Sequence, residues 1–212
     1  MMPLGDDDSK LKSSQLITPI LIGINILVFF LEMAGGESFI MKWAFIPSRF
    51  LETPFKEFPT VFTSMFMHAG LAHLFGNMLY LWIFGDNVED RLGKASYLIF
   101  YLLAGVAATF SQLFFTPESS IPNVGASGAI AGVLGAYLLL FPGEKVKVLV
   151  GNVITQFPSL IVIGLWFLLQ IMGQASQSGK QDAGGVAYMA HVGGFVAGFM
   201  MAFIWVRPKI SK

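Results

Sequence analysis

No cysteine occurs among the 212 residues, which removes disulfides, thiol nucleophiles and thiolate metal sites together. Charge is scarce too: Asp, Glu, Lys and Arg make up 12% of the chain, and the formal net charge is +0. That balance offers no basic stripe for nucleic acid, and Trp and Tyr are scattered through apolar segments rather than interleaved with cations, so a nucleic-acid partner is set aside. A small-residue cleavage site is missing after the first apolar segment, so that segment reads as retained. What is present is apolar: 55% hydrophobic and 14% aromatic residues with a mean hydropathy of +0.68. A soluble domain of this size cannot carry so much, and the chain reads as an integral membrane protein in contact with lipid.

Apolar runs at about residues 17–34, 69–84, 97–115, 126–141, 150–172 and 184–206, broken by polar or Pro/Gly-marked stretches, predict six helices in one all-α domain. Residues 1–16, with the run Asp6-Asp7-Asp8, form an N-terminal tail, 17–206 the six-helix domain and 207–212 a C-terminal tail. Sorting cations by alternate loops places Lys10, Lys12, Arg91, Lys94, Lys145, Lys147, Arg207, Lys209 and Lys212 on one side and Lys42, Arg49, Lys56 and Lys180 on the other. The positive-inside rule then makes both termini cytoplasmic, in a multi-pass protein of a prokaryotic cell (inner) membrane. The first outer loop, 35–67, carries Trp43, Phe45, Ile46, Phe50, Phe55 and Phe58 among charges and three prolines, and is expected to lie in the membrane interface.

Polar groups are costly in hydrocarbon and mark sites. Ser127 opens the fourth span within Gly125-Ala126-Ser127-Gly128, beside unpaired N–H groups and the positive end of a helix dipole that suit an oxyanion. This span is short, about 22 Å from Ser127 to Pro142 against a core of about 30 Å, so 116–123 must descend to meet it and a wet cavity follows. His191 lies about 24 Å above Arg207 on the last span, at the level of Ser127. Gly128, Gly132 and Gly135 form a small-residue stripe on one span, and Ala187, Gly194 and Gly198 flank His191 on the other, so the two can approach closely. The pair reads as nucleophile and base without a carboxylate, because Asp182 lies in an outer loop: a Ser–His dyad.

The second span adds His68, His73 and Asn77, the last two sharing a helix face. Counted from Gly85, Asn77 comes out deeper than Ser127, at about 12 Å. His68 lies near the outer mouth, where a structural role is expected. Zinc is not indicated, since the histidines lack metal-ligand spacing and no acidic residue lies nearby in that span. No metal or other cofactor is called for.

These residues resemble the rhomboid family of intramembrane serine proteases. The match runs through His68-Ala69-Gly70-Leu71-Ala72-His73 and Asn77, then Phe84-Gly85-Asp86-Asn87-Val88-Glu89-Asp90-Arg91-Leu92-Gly93, Gly125-Ala126-Ser127-Gly128, and Ala190-His191-Val192-Gly193-Gly194. The resemblance implies a six-helix core with a short central fourth helix. It implies Ser127 as nucleophile, His191 as general base, and His73, Asn77 and the backbone around Gly125, Ala126 and Gly128 as the oxyanion site. Glu89 and Arg91 match a motif with a structural, ion-pairing or loop-anchoring role. Two departures stand out: a Trp-Arg pair of some members is replaced by Pro59-Thr60, and Ala131 stands where some members carry an aromatic ring against the histidine. The expected activity is cleavage of transmembrane segments of other membrane proteins. The alternative is a non-catalytic rhomboid-like protein that binds or dislocates membrane clients, for which loss of Ser127 or His191 would be the sign. A transporter is disfavoured by the absence of an internal repeat.

Overall fold

A computed structural model of the chain describes residues 2–7, 11, 14–177 and 185–206. It is mostly helical. Helix α1 (Ile17–Trp43) is kinked at Gly36. Three short helices, α2 (Pro47–Glu52), α3 (Pro54–Glu57) and α4 (Thr60–Thr63), lead through a 3₁₀ turn at Ser64–Phe66 into α5 (Leu71–Leu92). Then come α6 (Lys94–Phe115), α7 (Ser127–Leu140), α8 (Ser159–Gln177) and α9 (Tyr188–Trp205). Among the described residues, α1, α6, α8 and α9 are long and apolar enough to cross a membrane. Helix α7 is apolar but only 14 residues long, about 21 Å, and α5 ends in charged residues at Asp86, Glu89, Asp90 and Arg91. This is a multi-pass helical membrane protein.

Strands appear where none was expected. Lys145–Val150 and Val153–Pro158 form an antiparallel hairpin, β2 and β3, whose other edge pairs with β1 (Met2–Gly5). The alternation Lys-Val-Lys-Val carries a strand period, buries Val146 and Val148 against the helices and leaves the lysines exposed. Gly151, at φ +59°, occupies the first position of the two-residue connection, a conformation costly for a side chain. The expected fifth span, 150–172, therefore starts too early, because its first nine residues belong to the end of β2, the turn and β3. The segment ahead of α1 is likewise more than a polar tail, since residues 2–5 supply a strand. Residues 207–212, the expected C-terminal tail, lie outside the described residues, as do Lys10, Lys12, Lys180 and Asp182. The β1–β2 pairing brings the segment before α1 and the α7–α8 connection to one end of the bundle.

Two charges from elsewhere finish α1. At its start no side chain of its own caps the helix; instead the buried Glu89 carboxylate on α5 accepts from the N–H groups of Leu16 (2.7 Å), Ile17 (2.9 Å) and Thr18 (2.8 Å). At its end Arg49 donates to the Met41 and Ala44 carbonyls and pairs with Glu57 at 2.7 Å. Each charge sits at the pole of the helix dipole that it complements. Arg91 is exposed.

Helices α6, α7 and α9 pack through small residues. A Cβ at Gly194 would overlap the Gly128 carbonyl, one at Gly198 the Gly132 carbonyl and one at Gly135 the Phe195 carbonyl, while one at Gly128 would stand 2.5 Å from the Ala108 Cβ on α6. The glycine stripes expected on the fourth and sixth spans thus face each other at backbone contact.

Candidate active site

Four loop-to-loop bonds deliver the chain to Ser127. Phe45 and Asn123 exchange backbone hydrogen bonds (3.3 and 2.7 Å), Ser48 N–H donates to the Ser119 carbonyl (3.1 Å), and Gly125 N–H donates to the Ser64 carbonyl (2.9 Å). The loop after α1 therefore braces the segment leading into α7 from one side. Phe45, Phe50, Val61 and Leu113 make a small apolar cluster beneath it, while Phe55 and Phe58 remain exposed. Gly125 takes φ +137°, outside the range open to side chains. Space is tight as well: a Cβ would press on His73 Cε1 at 3.0 Å and touch Ser127 Oγ at 3.5 Å. His73, Gly125 and Ser127 thus converge.

Ser127 begins α7, so its hydroxyl shares the helix N-terminus with unpaired N–H groups. Its Oγ lies 2.7 Å from His191 Nε2 across the glycine joint between α7 and α9. The depth count that put both at one level agrees with this contact. The other ring nitrogen of His191, Nδ1, lies 2.7 Å from Gln170 Oε1 on α8. Trp166, one turn earlier on α8, stands 5.8 Å from the imidazole, centroid to centroid. Sequence reading had no place for Gln170: a lone amide in an apolar span looks like interhelical glue, and only its meeting with His191 distinguishes it.

A cavity of about 230 Å³ opens between α5 and α8 and is lined by His73, Asn77, Ser127, Trp166 and His191 among others. Asn77 and Ser127 share it despite the depth offset counted along the spans. The offset arose from ending span two at Gly85; α5 runs on to Leu92, and fifteen residues from there is about 22 Å, the height of Ser127. Asn77 is buried, and its Nδ2 has no partner among the described residues. A second, smaller cavity lies on the other side of Ser127, against Ser64, Thr109, Gln112, Asn123 and Gly125.

His68 is set back from this cavity. It is buried, lies 5.1 Å from His73 by ring centroids, and its backbone N–H donates to Glu32 Oε2 at 2.9 Å. Glu32, a carboxylate inside α1, is a second residue that the sequence reading passed over. Among the described residues no group of three His, Cys, Asp or Glu side chains is placed to hold a metal ion.

Fold and site together define a multi-pass membrane protein with a serine and a histidine hydrogen-bonded inside its bundle, beside a cavity. Residues 56–208 match the family model described as Rhomboid domain. The chain is 32% identical over 197 residues to Rhomboid protease GluP of Bacillus subtilis, covering 91% of this chain and 35% of that protein. It is 29% identical over 199 residues to Rhomboid protein 1, mitochondrial, of Saccharomyces cerevisiae, covering 91% and 54%. To RHOMBOID-like protein 2 of Arabidopsis thaliana it is 32% identical over 146 residues, covering 68% and 42%. The chain thus spans about a third to a half of the length of these relatives, and it belongs to the rhomboid family.

Proposed function

We propose that the chain is an intramembrane serine endopeptidase that cuts transmembrane segments of other membrane proteins. The observation that carries this reading is the 2.7 Å contact between Ser127 Oγ and His191 Nε2 at the edge of a cavity inside the bundle. A serine hydroxyl is a weak nucleophile until a base accepts its proton. His191 takes the proton as Ser127 attacks the scissile carbonyl; the tetrahedral oxyanion is received by the Ser127 N–H, His73 and the unpaired Nδ2 of Asn77. The C–N bond then breaks as His191 returns the proton to the leaving amine. Water, deprotonated by the same histidine, attacks the acyl-serine and releases the second fragment. A buried donor without a partner is unusual, and at Asn77 it has a use once an oxyanion forms.

A peptide bond inside a stable helix has its carbonyl occupied, so the scissile segment unwinds first, and substrates with Gly, Pro or other weak helix formers near the cut are favoured. In this reading the termini face the cytoplasm of a prokaryotic cell, with the cationic loops.

The test is cleavage of a model transmembrane substrate in proteoliposomes. Ser127→Ala, His191→Ala and the double variant should each lose activity to about the same floor, as members of one acting unit do. Asn77→Ala should lose about 10²–10³-fold in kcat and stay above that floor. A fluorophosphonate adduct located on Ser127 by mass spectrometry would identify the nucleophile; cleavage by Ser127→Ala at the wild-type rate would end the protease reading.

A further inference from the structure

We infer that Gln170 sets the tautomer and the orientation of His191, completing an uncharged relay Ser127–His191–Gln170. The inference deepens the protease reading and rests on it for its kinetic arm. Gln170 is 8% exposed, and its amide is pinned at both ends. Nε2 donates to the Trp166 carbonyl one turn back at 3.0 Å, and Oε1 faces His191 Nδ1 at 2.7 Å. The first bond decides the orientation of the amide: exchanging its oxygen and nitrogen would press two carbonyl oxygens together.

An amide oxygen only accepts. His191 must therefore carry its proton on Nδ1, which leaves the Nε2 lone pair aimed at the Ser127 hydroxyl 2.7 Å away. Trp166, at 5.8 Å and tilted 35° to the imidazole, covers the ring beside that bond. With Ala131 in the facing helix turn, these α8 side chains supply the support that orients the histidine.

A neutral partner suits this location. A carboxylate in the same place would have to be desolvated within the bundle, at a penalty that one hydrogen bond offsets poorly. An amide satisfies its donor on Trp166 and its acceptor on His191 without charge. Its contribution grows during the reaction, because the Nδ1–H bond becomes charge-assisted when Nε2 receives the Ser127 proton. Gln170 touches no substrate and is a positioning residue.

Gln170→Met keeps the volume and helix preference of the side chain and removes the acceptor. Its kcat should fall about 10–100-fold, the range of a lost hydrogen bond to a charged group, with KM and melting temperature unchanged. The second arm needs no turnover: ¹⁵N NMR of histidine-labelled protein, with His191 assigned by comparison with His191→Ala. Wild type and the inactive Ser127→Ala should both show His191 protonated on Nδ1, and Gln170→Met should gain the Nε2-protonated form. Wild-type His191 protonated on Nε2 would overturn the inference, as would Gln170→Met cleaving within twofold of wild type. A Gln170→Met protein that melts earlier with kcat intact would make Gln170 glue between α8 and α9. Should Ser127→Ala itself cleave, the protease reading fails and the spectra alone judge the tautomer.

Discussion

Helices α7 and α9 meet backbone to backbone, whereas α5 and α8 stand apart around a cavity. In the first pair a methyl group at Gly135, Gly194 or Gly198 would overlap the backbone of the facing helix. In the second pair a methyl at Gly76 or Gly164 would meet nothing within 4 Å. Outward from the cavity, α8 exposes Leu165, Leu168, Leu169 and Met172. Ser127 and His191 sit on the tight pair, and the donors of α5 and the support from α8 reach them across the loose one. In the proposed protease the chemistry would be built on a joint that cannot slide without backbone overlap, with the cavity on the more loosely packed side. One bundle combines a close-packed pair with a pair held apart by a cavity.

The largest effect should come from breaking the joint. Gly194→Val drives a branched side chain into the Gly128 carbonyl, so the helices must separate and Ser127 must move relative to His191. Cleavage should fall by about 10²-fold or more and the melting temperature should drop; measuring both on one preparation checks this, and wild-type activity would show the joint to be soft. Next comes the loose side. Gly76→Leu adds volume to the cavity wall at a position where a Cβ would meet nothing within 4 Å and gains helix preference of about 1 kcal/mol. Its melting temperature should hold or rise, while KM for a transmembrane substrate increases about tenfold and fluorophosphonate labelling of Ser127 continues. Equal losses in both assays would mean that the cavity is no route for substrate. The smallest effect is expected at the far end of the tight pair, where Asp6 Oδ2 accepts from Tyr137 Oη (2.6 Å) and Asn87 Nδ2 (2.8 Å). Asp6→Ala should cost about 2–3 kcal/mol, a shift of several degrees in melting temperature, with the cleavage rate, the property that ranks these variants, unchanged.

The glycine stripes, the short fourth span and the common level of Ser127 and His191 were legible because each follows from counting along one helix. The hairpin was legible in principle: Lys-Val-Lys-Val alternates with period two, and Gly151-Asn152 is a turn signal. An apolar run from Val150 to Met172 concealed it, since valine and isoleucine serve a strand and a membrane span equally well. Strand β1 was beyond reach, four residues whose partners lie about 140 positions away. Gln170 and Glu32 were hidden for a related reason: a single polar side chain in a span has no local pattern, and its partner belongs to another helix. The same holds for the first loop, whose aromatics predicted an interfacial place but not its backbone bonds to Ser119 and Asn123.

The carboxylate of Glu89 lies 71 to 73 residues along the chain from the three N–H groups that it holds at the start of α1. Synthesis runs from the N-terminus, so α1 is made, and its first turn is left with bare donors, well before the residue that closes it exists. The cap position itself offers no side-chain acceptor, because Leu16 occupies it. The first helix is thus finished by the second long one: the cap of α1 can form only once α5 has been made nearly to its end.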